Sequence, residues 1–337
     1  MLARTSFAVV CIFASFVLFT ESYAQQTDRD LYESLFQQGE FDKAVQVLKR
    51  LTKQNPTDGQ AFYFLGLSNL RLEHDKDAVK ALEKAKEISP DSAMIRSALA
   101  YGYLLRNDKR ASNEAYEAVK LDDKLPLGHY VISVSSLRNG IYNTAYESAK
   151  RAVELDPNFS AAYAVKSQAL VSSFAKLSGT VLSAGPSRGS LLTEAVADLE
   201  KYLSLTQKTS DKEYYSKYLD SLRFFAEYYS RPENQRTGVI DTSVNPTNNV
   251  TPLTIISKPR AAYTDRARQA LVSGTVVVLV GLSEDGTVNH VMVVKSLGYG
   301  LDEAAVSAAR QIKFEPKKID GKPVSVVKTI EYNFNIY

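Results

Sequence analysis

The sequence is short of the groups that carry covalent and metal chemistry. It holds one cysteine, Cys11, and three histidines, His74, His129 and His290, far apart along the chain. There is no HExxH pair, no paired cysteines, no GxSxG elbow and no glycine-rich phosphate loop, which removes zinc, nucleophile-elbow and nucleotide chemistries. No catalytic residue, cofactor or metal ligand is therefore expected. The adjacent acids Asp122 and Asp123 fall where a turn between helices is expected and read as solvated caps. An excess of one charge is missing too: 41 basic residues face 38 acidic ones, a formal net charge of +3. That balance gives no electrostatic footprint for nucleic acid.

No apolar run reaches the roughly 20 residues that span a bilayer. The longest, Phe7 to Phe19, has thirteen residues and follows Arg4. Ser22-Tyr23-Ala24 then places small residues ahead of a cut between Ala24 and Gln25, the layout of a secretory signal peptide. Cys11, preceded by Val10, sits inside the apolar run as filler. Removal of residues 1–24 leaves a chain without thiol or disulfide, stabilised by packing alone. Retention of the segment as an anchor is the alternative, and the only route to membrane contact.

What the chain does have is ordinary for folded protein, 45% hydrophobic and 23% charged residues, at a length that fits two domains. An internal period runs through its first two thirds. Ala44, Ala78, Ala111 and Ala145 are spaced by 34, 33 and 34 residues, each starting an x3-x2 pattern of Leu or Ala. Pro56, Pro90 and Pro157 recur at one offset, with Asp123 in that place in the third unit. Leu65-Gly66 precedes Ala78 by the spacing of a first helix packed on a second. Small residues such as Gly66 and Ala78 let the helices approach, while Leu65 and Leu82 fill the space between. The proline ends the second helix.

This pattern resembles the tetratricopeptide repeat, with four units over about 25–159 and a fifth from Ser160 whose second half is displaced to Ala195, Leu199 and Tyr202. Gly179, Gly185, Pro186 and Gly189 mark an inserted loop at about 177–190, and a last helix at about Lys212 to Tyr229 caps the stack. The helical domain is thus placed at 25–230. The resemblance implies an all-α solenoid whose concave groove binds proteins or peptides. By the repeat register Tyr63, Leu67, Arg71, Tyr101, Tyr130, Val134 and Arg138 face that groove; packing between helices is the competing role for each. The Lys and Asn clamp that some family members use for C-terminal carboxylates is absent.

Residues 231–252 lack helical periodicity and are rich in Asn, Thr and Pro, the composition of a flexible linker. From 253 to 337 the pattern changes. Gly274–Val280 and Val288–Lys295, joined by Glu284-Asp285-Gly286-Thr287, read as a hairpin. Leu301–Ile312 reads as a helix with Leu301, Ala305, Ala308, Ala309 and Ile312 on one face, closed by Phe314-Glu315-Pro316. Gly321–Val324 is a turn, and Val324–Ile336 the final strand. A short helix is expected at Asp265–Leu271. The fold class is multidomain, an all-α repeat array followed by a small α+β module of order β-β-α-β.

That module resembles the TonB C-terminal domain family. The matching residues are Pro259, Tyr263 and Ala267, Gly274-Thr275-Val276, Asp285-Gly286, Val294-Lys295-Ser296, Leu301-Asp302-x-Ala304-Ala305, Phe314-x-Pro316 and Gly321-Lys322-Pro323-Val324. Their joint order over about 80 residues carries the resemblance. It implies a domain of the Gram-negative periplasm that captures a short segment of an outer-membrane receptor as an added strand beside its last strand. Here that edge is Val326, Val327, Lys328, Thr329, Ile330, Glu331, Tyr332 and Asn333, with Lys328, Glu331 and Asn333 flanking the guest. The competing readings are that this strand merely completes the sheet or that it pairs with a second copy of the chain, a homodimer. Two departures stand out: Tyr263-Thr264 replaces the family's frequent Tyr-Pro, and the apolar run lacks the histidine that couples true transducers to a proton-driven motor. The expected function is a non-enzymatic envelope adaptor in the periplasm. An inner-membrane-anchored TonB-type energy transducer is the alternative, and an accessory factor of a cell-wall enzyme the residual one.

Overall fold

The computed structural model describes residues 28–176, 188–207, 209–232 and 249–336. Residues 1–24, with the expected Ala24/Gln25 cut, lie outside the described residues, as do 177–187 of the expected loop and most of the expected linker. Among the described residues no helix is long and apolar enough to cross a membrane. The chain divides into two compact units, Met1–Val131 and Ile132–Tyr337.

The first unit holds helix α1 (28–37), then α2 (Phe41–Gln54), α3 (Gly59–Arg71), α4 (Asp75–Ile88), α5 (Ala93–Leu105), α6 (Arg110–Leu121) and the start of α7 (Pro126–Arg138). The periodic alanines occupy equivalent buried positions: Ala44, Ala78 and Ala111 are 0%, 0% and 3% exposed. The glycine of the Leu-Gly pair is demanded by distance. A Cβ on Gly66 in α3 would lie 2.4 Å from Cγ of Leu82 in α4, well inside contact range. Between repeats the chain turns at polar caps: Asp58 accepts the Ala61 N–H at 2.9 Å and Ser92 the Ile95 N–H. Asp122 takes the Lys124 N–H at 2.9 Å, the turn-capping role expected of it.

The second unit continues with α8 (Tyr142–Leu155), α9 (Ser160–Lys176), α10 (Arg188–Leu205) and α11 (Thr209–Ser230). Ala145 is again fully buried. Arg188 to Ser190, read from sequence as loop, are helical. Gly189 is there because α11 comes so close that a Cβ would sit 2.4 Å from Ser230 Oγ. Lys166 on α9 bridges Glu194 and Asp198 on α10, 3.0 Å each, and Tyr146 on α8 donates to Glu194 at 2.9 Å. Burial pushes the Asp198 carboxyl up to about 6 against the pull of Lys166.

The strands follow: β1 (Val250–Thr251), β2 (Thr254–Ser257), helix α12 (Asp265–Gln269), β3 (Gly274–Leu282), β4 (Val288–Lys295), helix α13 (Leu301–Arg310), β5 (Lys313–Glu315), β6 (Lys317–Ile319), β7 (Lys322–Val324) and β8 (Val326–Phe334). The expected β-β-α-β order is present as β3, β4, α13 and β8, and the main sheet is antiparallel in the order β4-β3-β8. Three expectations need correction. Phe314 and Glu315, read with Pro316 as the close of the helix, lie in β5, which pairs with β2. Residues 317–319 and 322–324 form a second small sheet with β1. The final strand starts at Val326, two residues later than expected. Strands of two to four residues carry too little alternation to be read from sequence.

One face of the main sheet, Val276, Val278, Val280, Val291, Val293, Ile330, Tyr332 and Phe334, is buried, with α13 against it. Asp302, in the first turn of α13, ties down the loop before it. Its carboxylate accepts the Ser296 hydroxyl and the N–H groups of Leu297 and Gly298. Gly300 takes φ 80 at the cap of this helix, in the left-handed region that glycine enters without strain. The sheet and the last helices share a single core running from Leu170 and Phe174 through Leu222 and Phe225 to Val291 and Ile330.

Candidate partner-binding site

The main sheet has two rims, and parity decides which backbone groups each presents. In an antiparallel pair a residue directs both its N–H and its C=O either at its partner or away from it. On β4, the Val291 N–H reaches Ser221 Oγ of α11 at 3.2 Å. The Val293 carbonyl accepts from Tyr218 Oη at 3.2 Å and from Gln168 Nε2 of α9 at 3.1 Å. Val291 and Val293 therefore point away from β3, toward the helices, and on that rim the Val291 N–H and the Val293 carbonyl are taken by the chain's own side chains. The contact is apolar as well: the Phe224 ring stacks on the His290 imidazole at 4.0 Å and 9°. His290 is half-buried there. Burial pushes its imidazole below the ordinary value.

The same parity crosses the sheet. Val278 and Val280 pair with Val293 and Val291 on one side and with Ile330 and Lys328 on the other. If they turn away from β4, they bond β8 through Ile330 and Lys328. Val327, Thr329, Glu331 and Asn333 must then face outward. An independent bond agrees: the Glu331 carbonyl accepts from Lys258 Nζ, outside the sheet, at 3.0 Å. The eight residues expected from sequence are thus divided. Val327, Thr329, Glu331 and Asn333 present backbone to the outside, whereas Val326, Lys328, Ile330 and Tyr332 are turned to β3. Lys328, expected to flank a guest, shares the face of Ile330. Among the described residues, Lys258 is the one group bonded to this outer backbone.

Beside the far half of β8 runs an open groove of about 760 Å³. One wall is the segment Lys258 to Tyr263, the other Glu331 to Ile336. Tyr263 packs edge-on against Phe334 at 6.0 Å and donates its hydroxyl to the Val272 carbonyl. Thr264, at the position of the family's frequent proline, caps α12: it accepts from the Ala267 N–H at 3.2 Å and donates to the Tyr299 carbonyl at 2.6 Å. A proline there supplies neither bond. The sequence reading missed this wall, although its three cations, Lys258, Arg260 and Arg268, were visible in the chain.

The seven residues expected on the helical groove lie in α3, α5 and α7. Tyr63, Leu67, Tyr101, Tyr130 and Val134 are half-buried, and Arg71 and Arg138 are exposed. Tyr101 and Tyr130 approach at 6.2 Å. Arg138 lies 5.0 Å from the Tyr299 ring, against the C-terminal module. His129 bonds the Asp123 carbonyl at 2.8 Å, and His74 is exposed at the N-cap of α4 without a side-chain cap bond. Among the described residues no group of three or more His, Cys, Asp or Glu side chains is placed to hold a metal ion.

The comparisons with known proteins agree with both halves. Residues 259–336 match the model of the Gram-negative bacterial TonB protein C-terminal, and residues 30–93 that of the tetratricopeptide repeat. The chain is thus a tetratricopeptide-repeat region followed by a TonB C-terminal domain, two kinds of module that bind protein or peptide partners. Among curated proteins none matches. Solved structures similar to the helical part include MamA, at 20% identity over 56% of this chain and 95% of that one, TM-score 0.40. PilW, a type IV pilus biogenesis factor, is 16% identical over 60% and 88%, TM-score 0.47. A thermophilic TPR protein in Thermus thermophilus is 19% identical over 59% and 99%, TM-score 0.44.

Proposed function

We propose that this protein is a non-enzymatic adaptor of the Gram-negative periplasm. In this reading the outer rim of β8 takes up an extended segment of a partner protein as a fourth strand, and an outer-membrane receptor is the partner class the TonB domain favours. The helical repeats hold a second protein through the Tyr63, Leu67, Arg71, Tyr101, Tyr130, Val134 and Arg138 positions. One observation supports the first part above all: the β4 rim is occupied by Ser221, Tyr218 and Gln168, while on β8 the outward groups of Val327, Thr329 and Asn333 have no partner among the described residues. A rim whose outward backbone groups are free is a place for a guest strand. The guest gains main-chain bonds at alternate residues, and its side chains on one face meet the groove wall.

The test is a pair of proline variants in the full chain. Thr329→Pro removes an outward N–H and leaves the bonds to β3 intact, the one placement a sheet tolerates. Ile330→Pro removes an inward N–H and unfolds the sheet. A Thr329→Pro protein with unchanged circular dichroism and lost capture of envelope partners supports the reading. Undiminished capture by that folded variant refutes it.

A further inference from the structure

We propose that the β8 rim selects an acidic guest, and that Lys258 is the residue that makes the selection. The inference rests on the strand-addition reading and adds the chemistry of the ligand. Three cations line the groove, Lys258, Arg260 and Arg268, and Glu331 is the sole acid among its described lining residues. Arg268 has a distant acid of its own, Asp265 at 4.0 Å. Among the described residues no ion pair is formed by Lys258 or Arg260. The wall beside the rim therefore carries uncompensated positive charge where one face of an added strand passes.

Lys258 also holds the rim itself. Its ammonium donates to the Glu331 carbonyl at 3.0 Å and lies 5.3 Å from the Tyr332 ring centre. That carbonyl is one of the outward acceptors an added strand needs. A guest must displace the ammonium, and a displaced ammonium has no acid among the described groove residues to turn to except Glu331. A neutral guest leaves the displaced ammonium to water alone. A guest with a carboxylate at the wall gives Lys258 a new partner as it takes the carbonyl, so the exchange is compensated. Lys258 is thereby a specificity-determining residue: it opposes neutral or basic segments and favours acidic ones.

The test uses three capped, fluorescein-labelled heptapeptides with one β-branched core and a flanking Glu, Gln or Lys, titrated against the full chain. Wild type should rank them Glu, then Gln, then Lys, each step up to about fivefold, the range of exposed ion pairs. Lys258→Ala should separate the Glu and Gln peptides: the Glu peptide binds more weakly, the Gln peptide as well or better. A merely structural role moves both together. The double variant Lys258→Glu/Arg260→Glu should invert the ranking. Equal binding of all three peptides, abolished by Thr329→Pro, overturns the acidic selection and leaves the strand-addition reading standing. Equal shifts of the Glu and Gln peptides in Lys258→Ala also overturn it. No binding of any peptide overturns both.

Discussion

The Ser221 side chain of α11 accepts the outward N–H of Val291 on β4, and its hydroxyl points back to the Lys217 carbonyl of its own helix. A serine satisfies a donor and an acceptor at once in a place where a strand would otherwise end in open backbone. This contact joins the last helices to the sheet along β4.

Replacing Ser221 by alanine strands a buried N–H. The expected loss is about 1–3 kcal/mol of stability, read as a shift of the urea midpoint. Tyr218→Phe removes one of two donors to Val293 and should cost less, since Gln168 remains. Equal stability of Ser221→Ala and wild type would mean that the helices do not hold this rim in solution.

The repeat packing gives a second expectation. Gly66→Ala drives a methyl group into Leu82, and overpacking of this kind costs about 1–3 kcal/mol. Leu82→Ala alone leaves a cavity and costs about 2–5 kcal/mol. In combination the two should cost clearly less than their sum, because each makes room for the other. An additive pair in a double-mutant cycle would contradict the contact.

His290 sets a pH dependence. Burial against Phe224 lowers its pKa in the folded state from the ordinary 6.5; Asp220 pulls upward, and Arg310 adds to the lowering. The unfolded chain then binds the proton first as pH falls, so the contribution of His290 to stability is full above 6.5 and is lost as pH falls through the folded pKa. His290→Phe should show a flatter loss of stability below pH 6.5 than wild type. Asp198, raised to about 6 by burial, has the opposite slope: it favours folding as pH falls. Its term is common to both proteins and cancels in the comparison. Parallel curves would show that the imidazole is not held neutral at the helix.

Much of this architecture was legible in the residues. Ala44, Ala78, Ala111 and Ala145 gave the repeat because small residues are needed at every helix crossing. The second strand of the hairpin was read at its observed bounds, Val288–Lys295, because its turn carries Asp285-Gly286 and its run is β-branched. The docking of the sheet on α9 and α11 was not legible. Its bonds join residues 70 to 125 positions apart, with no local periodicity to announce them. Nor was the division of β8 into inward and outward groups, since a strand's parity depends on its neighbour. Lys258 appeared in sequence as one more charge before Pro259; its bond to the Glu331 carbonyl is a fact of tertiary structure.

The most direct measurement is amide hydrogen exchange at single-residue resolution in the unliganded full chain. Exchange reports whether a donor is held. The account predicts slow exchange at Ile330 and Lys328, which face β3, and at Val291, held by Ser221, with fast exchange at Thr329, Glu331 and Asn333. Thr329 and Glu331 amides as slow as Ile330 would show the β8 rim already occupied and contradict the account.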